Sequence, residues 1–343
     1  MNKINVAVVG AGIYGIHHVH AYLQNPQVNL VGVCDLSAEI REKIAGEYHV
    51  KTYTNTEELF ANETVDAMSI ATPDSFHVEP ALHAIEKGVH ILVEKPLATS
   101  SDDCRKIIRA ANAKGIKVGV DFHKRWDPVA INVYKALRDQ ENTGFPIRGY
   151  MSMDDTIDVP TKWFKWGHTS SPVHFLGIHC FDLIRWYMGC EAKSVYAVGS
   201  KELLLKEHNI DSYDSVQTIV EFENGCSWVV ENSWVLPSGF PKDNDGRTTI
   251  LTSKKFFRID SQDRGIQIYA EDKGRTPNVY FFNEWNGKQF GFGVEPINEF
   301  IDAVIHDRPY MASDIDGLES AKIAEAAHLS LRTGNKMVIE REK

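Results

Sequence analysis

The chain has 343 residues, 43% of them hydrophobic and 24% charged, which is typical of a globular protein with two domains. Its 37 basic and 47 acidic side chains give a net charge of −10, which argues against nucleic acid and anionic membranes as partners. No apolar run reaches the ~20 residues of a membrane span, no signal peptide is predicted, and the five cysteines include no CxxC pair, so we expect a cytoplasmic protein with reduced thiols.

The first predicted element is a β-branched strand from Ile4 to Val9 that leads directly into a glycine-rich loop and then a helix ending near Gln24. In a Gly-x-Gly-x-x-Gly loop, one glycine permits the tight turn, another lets a pyrophosphate approach the backbone, and another allows close helix–strand packing. The helix N-terminus adds free N–H groups and partial positive charge for the phosphates. We therefore predict a dinucleotide site that includes Gly10, Gly12, Ile13, Tyr14 and Gly15.

An acid follows the second predicted strand, which ends at Cys34. Asp35 lies 20 residues beyond Gly15, where its carboxylate can accept both hydroxyls of an adenosine ribose and would repel a 2′-phosphate. NAD is therefore predicted as the cofactor in preference to NADP. The alternative is an ordinary glycine-rich turn followed by an unrelated acid, which the strand–loop–helix–strand order disfavours.

Strands and helices alternate through the rest of the first half. Strands are expected near residues 51–53, 65–71, 90–93 and 118–120, with helices near 37–48, 56–60, 77–87 and 100–114. This order predicts an α/β fold, a Rossmann domain with a doubly wound parallel sheet over residues 1–123. Ligands bind at the carboxyl ends of such strands, so the segments expected to meet there are the glycine loop, Asp35, Thr72-Pro73, Glu94-Lys95-Pro96 and Asp121 to Arg125.

The pattern changes after residue 123. Helices are expected at 127–140, 174–188, 296–306 and 318–331, and strands at 147–153, 195–198, 216–222, 226–234, 248–252, 256–259, 265–270, 279–282 and 337–339. Residues 124–343 are therefore predicted to form an α+β domain with a large, mainly antiparallel open sheet, whose C-terminal helices either close it or pack back on the first domain. Imperfect alternation along residues 217–222 indicates that both sheet faces are partly covered, which favours an oligomer.

These motifs together resemble the glucose-fructose oxidoreductase/inositol dehydrogenase (Gfo/Idh/MocA) family. The resemblance rests on the glycine loop, Cys34-Asp35, Ala71-Thr72-Pro73 with His77, and Glu94-Lys95-Pro96-Leu97. It implies a homodimer or homotetramer that acts on a small-molecule sugar or polyol, and the Lys-Pro peptide is often cis in that family. It also implies that Lys95 reaches substrate and nicotinamide, and that the cofactor is contacted by Ala71, Thr72, Pro73, His77, Glu94 and Lys95.

Two side chains are candidates for the chemistry. Hydride transfer from a carbinol needs a C–H aimed at the nicotinamide and a base for the hydroxyl proton. The Lys95 ammonium would stabilise a developing alkoxide, unless it is an ordinary surface lysine. His179 matches the family's Gly-x-His-x-x-Asp motif, whose histidine is the acid/base, unless it is simply buried on an amphipathic helix.

The chain departs from the family's fuller motif, Asp-x-Gly-x-His-x-x-Asp. Phe175 stands where the first acid is expected, which removes an acid one helical turn before His179. Asp182, three residues after His179, or His174 could orient the imidazole instead, or the pocket is differently built. Asp182 is predicted to lie in the substrate site.

Other polar and aromatic residues leave alternatives open. His123 and Arg125 either contact the substrate or cofactor or form a solvated basic turn. Trp163 and Trp166 either stack on a sugar or the nicotinamide or belong to the core or an interface. His17, His18 and His20 follow the glycine loop without a carboxylate partner in view, so we expect surface histidines and no metal site.

The leading hypothesis is an NAD-dependent oxidoreductase that transfers a hydride between nicotinamide and a carbinol or carbonyl of a sugar, inositol or sugar derivative. One alternative is an NAD-dependent glycoside lyase or hydrolase with an internal redox cycle, which would release no net NADH. The other is a non-catalytic dinucleotide-sensing binding protein, which would be expected to lack Lys95 or His179, although both are present.

Overall fold

A computed structural model describes residues 3–164, 167–271 and 274–341. The chain divides into two compact units. The first runs to Trp126 and also takes in Phe281–Leu318, and the second comprises Asp127–Tyr280 and the chain from Glu319 onward. The first unit is therefore assembled from two separate stretches of sequence, whereas the sequence pattern predicts two consecutive domains.

The first unit is built on a six-stranded parallel sheet. Its strands are β1 (Ile4–Val9), β2 (Val28–Cys34), β3 (Thr52–Tyr53), β4 (Ala67–Ile70), β5 (His90–Glu94) and β6 (Val118–Asp121). They lie in the order β3-β2-β1-β4-β5-β6, and every residue of β4 and β6 is buried, as expected where helices cover both faces. The strand order reverses between β1 and β4, which is where such sheets bind their ligands.

Helices follow the strands of this unit at short intervals. They are α1 (Gly15–Gln24), α2 (Ala38–Tyr48), α3 (Thr56–Asn62), α4 (Val78–Glu86) and α5 (Ser101–Lys114). Side-chain oxygens cap three of their N-termini: Ser37 for α2, Asn55 for α3 and Ser100 for α5. Helices α1 and α4 have no side-chain cap.

The second unit contains most of the later elements. Between residues 128 and 260 these are α6 (Pro128–Arg138), α7 (Gln140–Thr143), β7 (Pro146–Thr156), α8 (Ile178–Met188), β8 (Ala192–Ser200), α9 (Leu203–His208), β9 (Ser215–Phe222), β10 (Ser227–Leu236), β11 (Asn244–Thr252) and β12 (Phe256–Asp260). The chain continues with β13 (Ile268–Tyr269), β14 (Gly274–Arg275), β15 (Asn283–Trp285), β16 (Lys288–Phe290), α10 (Glu295–Ile305), α11 (Asp314–Thr333) and β17 (Met337–Val338). No helix among the described residues is both long and apolar enough to cross a membrane.

The sheet of the second unit has seven strands in the order β12-β11-β7-β10-β9-β8-β17. Among the strand pairs of this sheet in the described chain, β7 and β10 are parallel and the others are antiparallel. Along β9, buried and more exposed residues alternate regularly. The alternation of apolar and polar residue types is imperfect there, but the alternation of burial is not. One face holds the fully enclosed Trp228 and Trp234, and the other leaves apolar side chains such as Ile219 partly exposed.

The structure corrects two predicted strands and contains a helix, α9, that was not predicted. The strand expected at 279–282 is a turn, and the strand expected at 265–270 shortens to β13. Helix α9 was not predicted because its cap lies outside it: the Asp214 carboxylate accepts hydrogen bonds from the backbone N–H groups of Glu202, Leu203 and Leu204.

Candidate functional site

The glycine loop has the geometry of a dinucleotide-binding turn. Gly10 has φ +84°, and a Cβ there would lie 2.7 Å from the Ala71 carbonyl carbon. A Cβ on Gly15 would lie 1.9 Å from the Gly10 carbonyl oxygen, so α1 can start this close to the loop only with glycine. Gly12 has open space on its Cβ side, which leaves its backbone accessible to a ligand. The N-terminus of α1 has no side-chain cap, so its N–H groups remain directed toward this turn.

Asp35 is held as a fixed hydrogen-bond acceptor at the end of β2. Its Oδ2 accepts from the Ala11 N–H at 2.9 Å and its Oδ1 from the Ser37 N–H at 2.8 Å. A carboxylate has about four acceptor positions, so the oxygens can still accept from a ribose. The backbone therefore orients the carboxylate before any ligand binds.

The ends of β4 and β5 are tied together by His77. Its ring is completely buried, with Nε2 2.8 Å from the Thr72 carbonyl oxygen and Nδ1 2.7 Å from the Pro96 carbonyl oxygen. Thr72 Oγ1 also donates to the Phe76 carbonyl at 3.0 Å. His77 thus supports the two loops on which Thr72, Pro73 and Lys95 lie, and its ring nitrogens are occupied by backbone.

Lys95 follows β5 and is only 6% exposed, and its peptide bond to Pro96 is cis. The alternative interpretation was an ordinary surface lysine. Lys95 is too little exposed for that. Burial is the main cause that lowers the pKa of His123 well below its usual value, and the charges of Lys124 and then Lys95 lower it further. Lys95 therefore lies among buried polar groups of the first unit.

The expectation that the histidines after the glycine loop lie on the surface is wrong for His18, which is 1% exposed. His18 Nδ1 lies 2.9 Å from Ser69 Oγ, and its Nε2 lies 3.1 Å from Glu94 Oε1 and 3.7 Å from Asp121 Oδ2. We call His18, Glu94 and Asp121 the buried triad. The sequence analysis did not predict the triad. One available signal was that Glu94 and Asp121 each end a predicted strand, and the two adjacent parallel strands pair these residues.

His17 and His20 have other partners. The His17 ring stacks on Phe282 at 3.7 Å, and His20 Nε2 lies 2.9 Å from the Tyr48 hydroxyl. Burial lowers the pKa of His17 to about 4. The three histidines of α1 therefore do not converge on a common ligand.

His123 and Arg125 are both buried, so the solvated basic turn is wrong for them. The His123 ring lies against Phe281 and Phe292, at centroid distances of 4.7 and 6.2 Å. Arg125 donates to the Met311 carbonyl at 2.7 Å and pairs with Asp316 at 2.9 Å. These contacts hold the stretch after β6 against the later segment of the first unit.

In the second unit, His179 and Asp182 lie on α8 and are 5% and 1% exposed. The helix is preceded by a π-helical turn, Val173–Gly177, a local geometry that is frequent at functional sites. Phe175 in that turn packs against Phe164 and Trp234, with ring centroids 5.0 and 5.8 Å away. The position expected to hold an acid is therefore part of an aromatic cluster.

The remaining candidates have different surroundings. The ring of His174 stacks on that of His328 with centroids 4.3 Å apart, and burial lowers the pKa of His174 to about 3. Trp163 ends a short helical turn and is 44% exposed. Trp166 lies outside the described residues.

A parallel sheet whose order reverses beside a glycine loop, with an acid fixed at the end of the next strand, defines a dinucleotide-binding protein of the Rossmann type. Residues 4–122 match the family model described as an oxidoreductase family with an NAD-binding Rossmann fold, and residues 134–258 match the GFO/IDH/MocA C-terminal domain. The chain belongs to the Gfo/Idh/MocA family and is an NAD-dependent oxidoreductase, which confirms the family, the fold class and the cofactor predicted from the sequence.

Relatives extend over almost the whole chain. An inositol 2-dehydrogenase from Rhizobium meliloti (strain 1021) is 26% identical, over 94% of this chain and 96% of its own. A scyllo-inositol 2-dehydrogenase (NAD(+)) from Bacillus subtilis (strain 168) is 24% identical, over 97% and 95%. The crystal structure of a myo-inositol 2-dehydrogenase from Lactobacillus plantarum superimposes with a TM-score of 0.83 at 21% identity, covering 99% of this chain and 100% of that one.

The glycine loop provides a direct test of cofactor binding. Gly15→Ala is expected to weaken NAD binding at least ~100-fold, about 2.7 kcal/mol, because its Cβ would lie 1.9 Å from the Gly10 carbonyl oxygen and displace the loop. Titration of NAD by calorimetry, with thermal unfolding alongside, measures both effects. Gly46→Ala is the matched control, since a Cβ there meets nothing within 4 Å. A folded Gly15→Ala variant with wild-type NAD affinity would contradict the assigned role.

Proposed function

We propose that this protein interconverts a CH–OH group and the corresponding carbonyl of an inositol, a sugar or a sugar derivative, with hydride transfer to or from NAD. The observation that carries the proposal is a buried lysine, Lys95, at the carboxyl edge of the same parallel sheet that presents the glycine loop and Asp35. The names of the two inositol dehydrogenases among its relatives support the substrate class.

The proposed roles follow from the chemistry of each group. The glycine loop and the N-terminus of α1 bind the pyrophosphate, and Asp35 accepts the ribose hydroxyls. Bound NAD supplies the hydride acceptor. Lys95 stabilises the negative charge that develops on the substrate oxygen, and His179 takes the hydroxyl proton during oxidation and returns it during reduction.

Asp182 is proposed to orient His179 in the absence of the missing acid. It lies three residues after His179 on α8, a spacing that brings side chains together on a helix. Phe175 occupies the position of the missing acid, and its ring packs against Trp234. Trp163, which is partly exposed, is proposed to contact the sugar ring.

The first experiment follows NADH absorbance with purified protein, NAD and a panel of inositols, aldoses, glycosides and sugar acids. We expect NADH formation with one group of polyols or sugars, and slower formation with NADP because Asp35 would repel the 2′-phosphate. If NAD binds but no member of the panel yields NADH, the proposal fails. Cleavage of a glycoside without net NADH would instead indicate the internal redox cycle.

We further infer that the protein works in the cytoplasm as a homodimer or homotetramer. All five cysteines are free, as in most proteins of a reducing compartment. The more exposed face of the seven-stranded sheet carries a patch of apolar side chains that a second copy would cover: Tyr196, Val198, Ile219, Val229 and Phe256. Sedimentation equilibrium tests the assembly, and a monomer at all concentrations would overturn it.

A further inference from the structure

The buried triad is the end of a longer hydrogen-bond chain inside the first unit. The Tyr22 hydroxyl lies 2.5 Å from Ser69 Oγ, which lies 2.9 Å from His18 Nδ1, and His18 Nε2 lies 3.1 Å from Glu94 Oε1. Tyr22, Ser69 and His18 are each no more than 1% exposed. The chain therefore links the interior of the sheet to the residue that immediately precedes Lys95.

The hydrogens of this chain can be assigned from its partners. The buried Tyr22 hydroxyl needs an acceptor, and among the described residues Ser69 is its hydrogen-bond partner. If Tyr22 donates to Ser69, Ser69 donates to His18 Nδ1, and His18 Nε2–H donates to Glu94, so every group is satisfied. The opposite direction would strand the Tyr22 hydrogen and set the Nε2 lone pair against the Glu94 carboxylate.

The same contacts distinguish the two carboxyl groups. Glu94 Oε1 lies 3.1 Å from His18 Nε2 and receives its hydrogen bond, whereas Asp121 Oδ2 lies farther from the same nitrogen, at 3.7 Å. Asp121 Oδ1 is buried with no hydrogen-bond partner among the described residues. Burial, and then the negative charge of Glu94, raise the pKa of Asp121 well above its usual value, and the Lys95 charge opposes this. The shorter contact makes Glu94, and not Asp121, the acceptor at the end of the hydrogen-bond chain.

We propose that His18 is a positioning residue for Lys95: its Nε2–H holds the Glu94 side chain, and with it the end of β5 that leads directly into Lys95 and the cis bond to Pro96. The role rests on the proposed function only where Lys95 is said to act on the substrate. The position of the hydrogens is independent of any activity.

A divalent cation is the competing occupant of the triad, because the imidazole and the two carboxylates each offer a ligand atom and all three atoms lie within 4.8 Å of one another. Such an ion would require His18 Nε2 without its hydrogen. The assignment above places the hydrogen on that atom, and the nearby Lys95 charge disfavours a cation. The two arrangements therefore predict opposite tautomers of His18.

The decisive measurement is nitrogen NMR of histidine-labelled, NAD-free protein, with the His18 signals assigned by their loss in His18→Gln. We expect a hydrogen on Nε2 and none on Nδ1, unchanged by a chelator or by added Zn²⁺. A hydrogen on Nδ1 instead, or a metal ion that copurifies and alters these signals when removed, would overturn the proposal. This arm needs no substrate, so its result stands even if the polyol panel yields no NADH.

Activity tests whether the chain acts on Lys95. His18→Leu removes the donor to Glu94, so Glu94 should protonate at higher pH and the acid limb of the kcat profile should move up by roughly one unit. His18→Gln retains an N–H donor and should move it less, while NAD affinity stays within about twofold in both, a change too small to reflect a lost contact. When it is added to a Glu94→Gln variant, His18→Leu should cause no further shift of the acid limb, because both changes remove the same interaction.

The pH profile contains other titrating groups, which the controls must separate. The titratable groups coupled to the triad are His17, Tyr22, Lys95, His123 and Tyr310. His20→Gln is the matched control, since it changes a histidine of the same helix that contacts Tyr48 instead. Lower thermal stability of His18→Leu with an unshifted pH profile would mean a structural role only, and would overturn the positioning role.

Discussion

Lys95→Met is expected to lower turnover by about 10²- to 10³-fold, the loss typical for removal of one group that stabilises developing oxyanion charge. Lys95 is only 6% exposed, and a charge acts more strongly where water is excluded. Methionine keeps the apolar stem and removes the ammonium group. Steady-state kinetics with the substrate found in the panel, together with NAD titration, would show a fall in kcat with little change in NAD affinity.

Two companion variants make this result interpretable. Lys95→Arg keeps a positive charge but replaces the compact ammonium group with a planar guanidinium, so it should retain only part of the activity. Lys114→Met is the matched control, because Lys114 is exposed at the end of α5, where it donates to the Glu86 carbonyl. If a folded Lys95→Met variant turned over at the wild-type rate, Lys95 would have no part in the chemistry.

His179→Ala is expected to reduce turnover by about 10²- to 10⁴-fold at neutral pH, since a positioned general base contributes that much. NAD binding should be unchanged, because the glycine loop and Asp35 belong to the first unit and His179 to the second. Added imidazole should restore part of the lost rate if the histidine transfers the proton. The measurement is kcat with and without imidazole, beside NAD titration.

The surrounding residues supply the controls for His179. Asp182→Asn should reduce turnover less than His179→Ala, because it leaves the imidazole in place and removes only its proposed partner. His208→Ala removes an exposed histidine at the end of α9 and should have no effect on turnover. Loss of NAD binding in His179→Ala, or full activity in it, would each contradict the proposed base.

The dinucleotide-binding half of the site was predictable because its signals are local. The glycine spacing, the strand before it and the acid after the next strand lie within one short stretch, and each has a direct steric or electrostatic purpose. The buried triad was not predictable in this way. Whether His18 faces solvent or the sheet depends on which side of α1 packs, and its partners come from three separate strands: Ser69, Glu94 and Asp121.

The later part of the chain shows the same limit. Phe281 and Phe282 look like a strand because aromatic residues favour strands, but they lie in a turn and pack on His123 and His17. The substitution at Phe175 is visible in the sequence, whereas its consequence, an aromatic cluster with Phe164 and Trp234, needs the fold. Side chains that meet across long sequence separations are the part that residue patterns do not specify.

The division of the first unit between two stretches of sequence has a consequence for synthesis. Its sheet is complete once Asp121 has been made, but Phe281–Leu318 follows only after Asp127–Tyr280, a delay of roughly 8–30 seconds at usual translation rates. Until then Val120 lacks the Ala312 carbonyl and Trp126 lacks Glu299. A fragment that ends at Trp126 would expose the same surface permanently, so we expect it to aggregate and to be unsuitable as a minimal cofactor-binding domain.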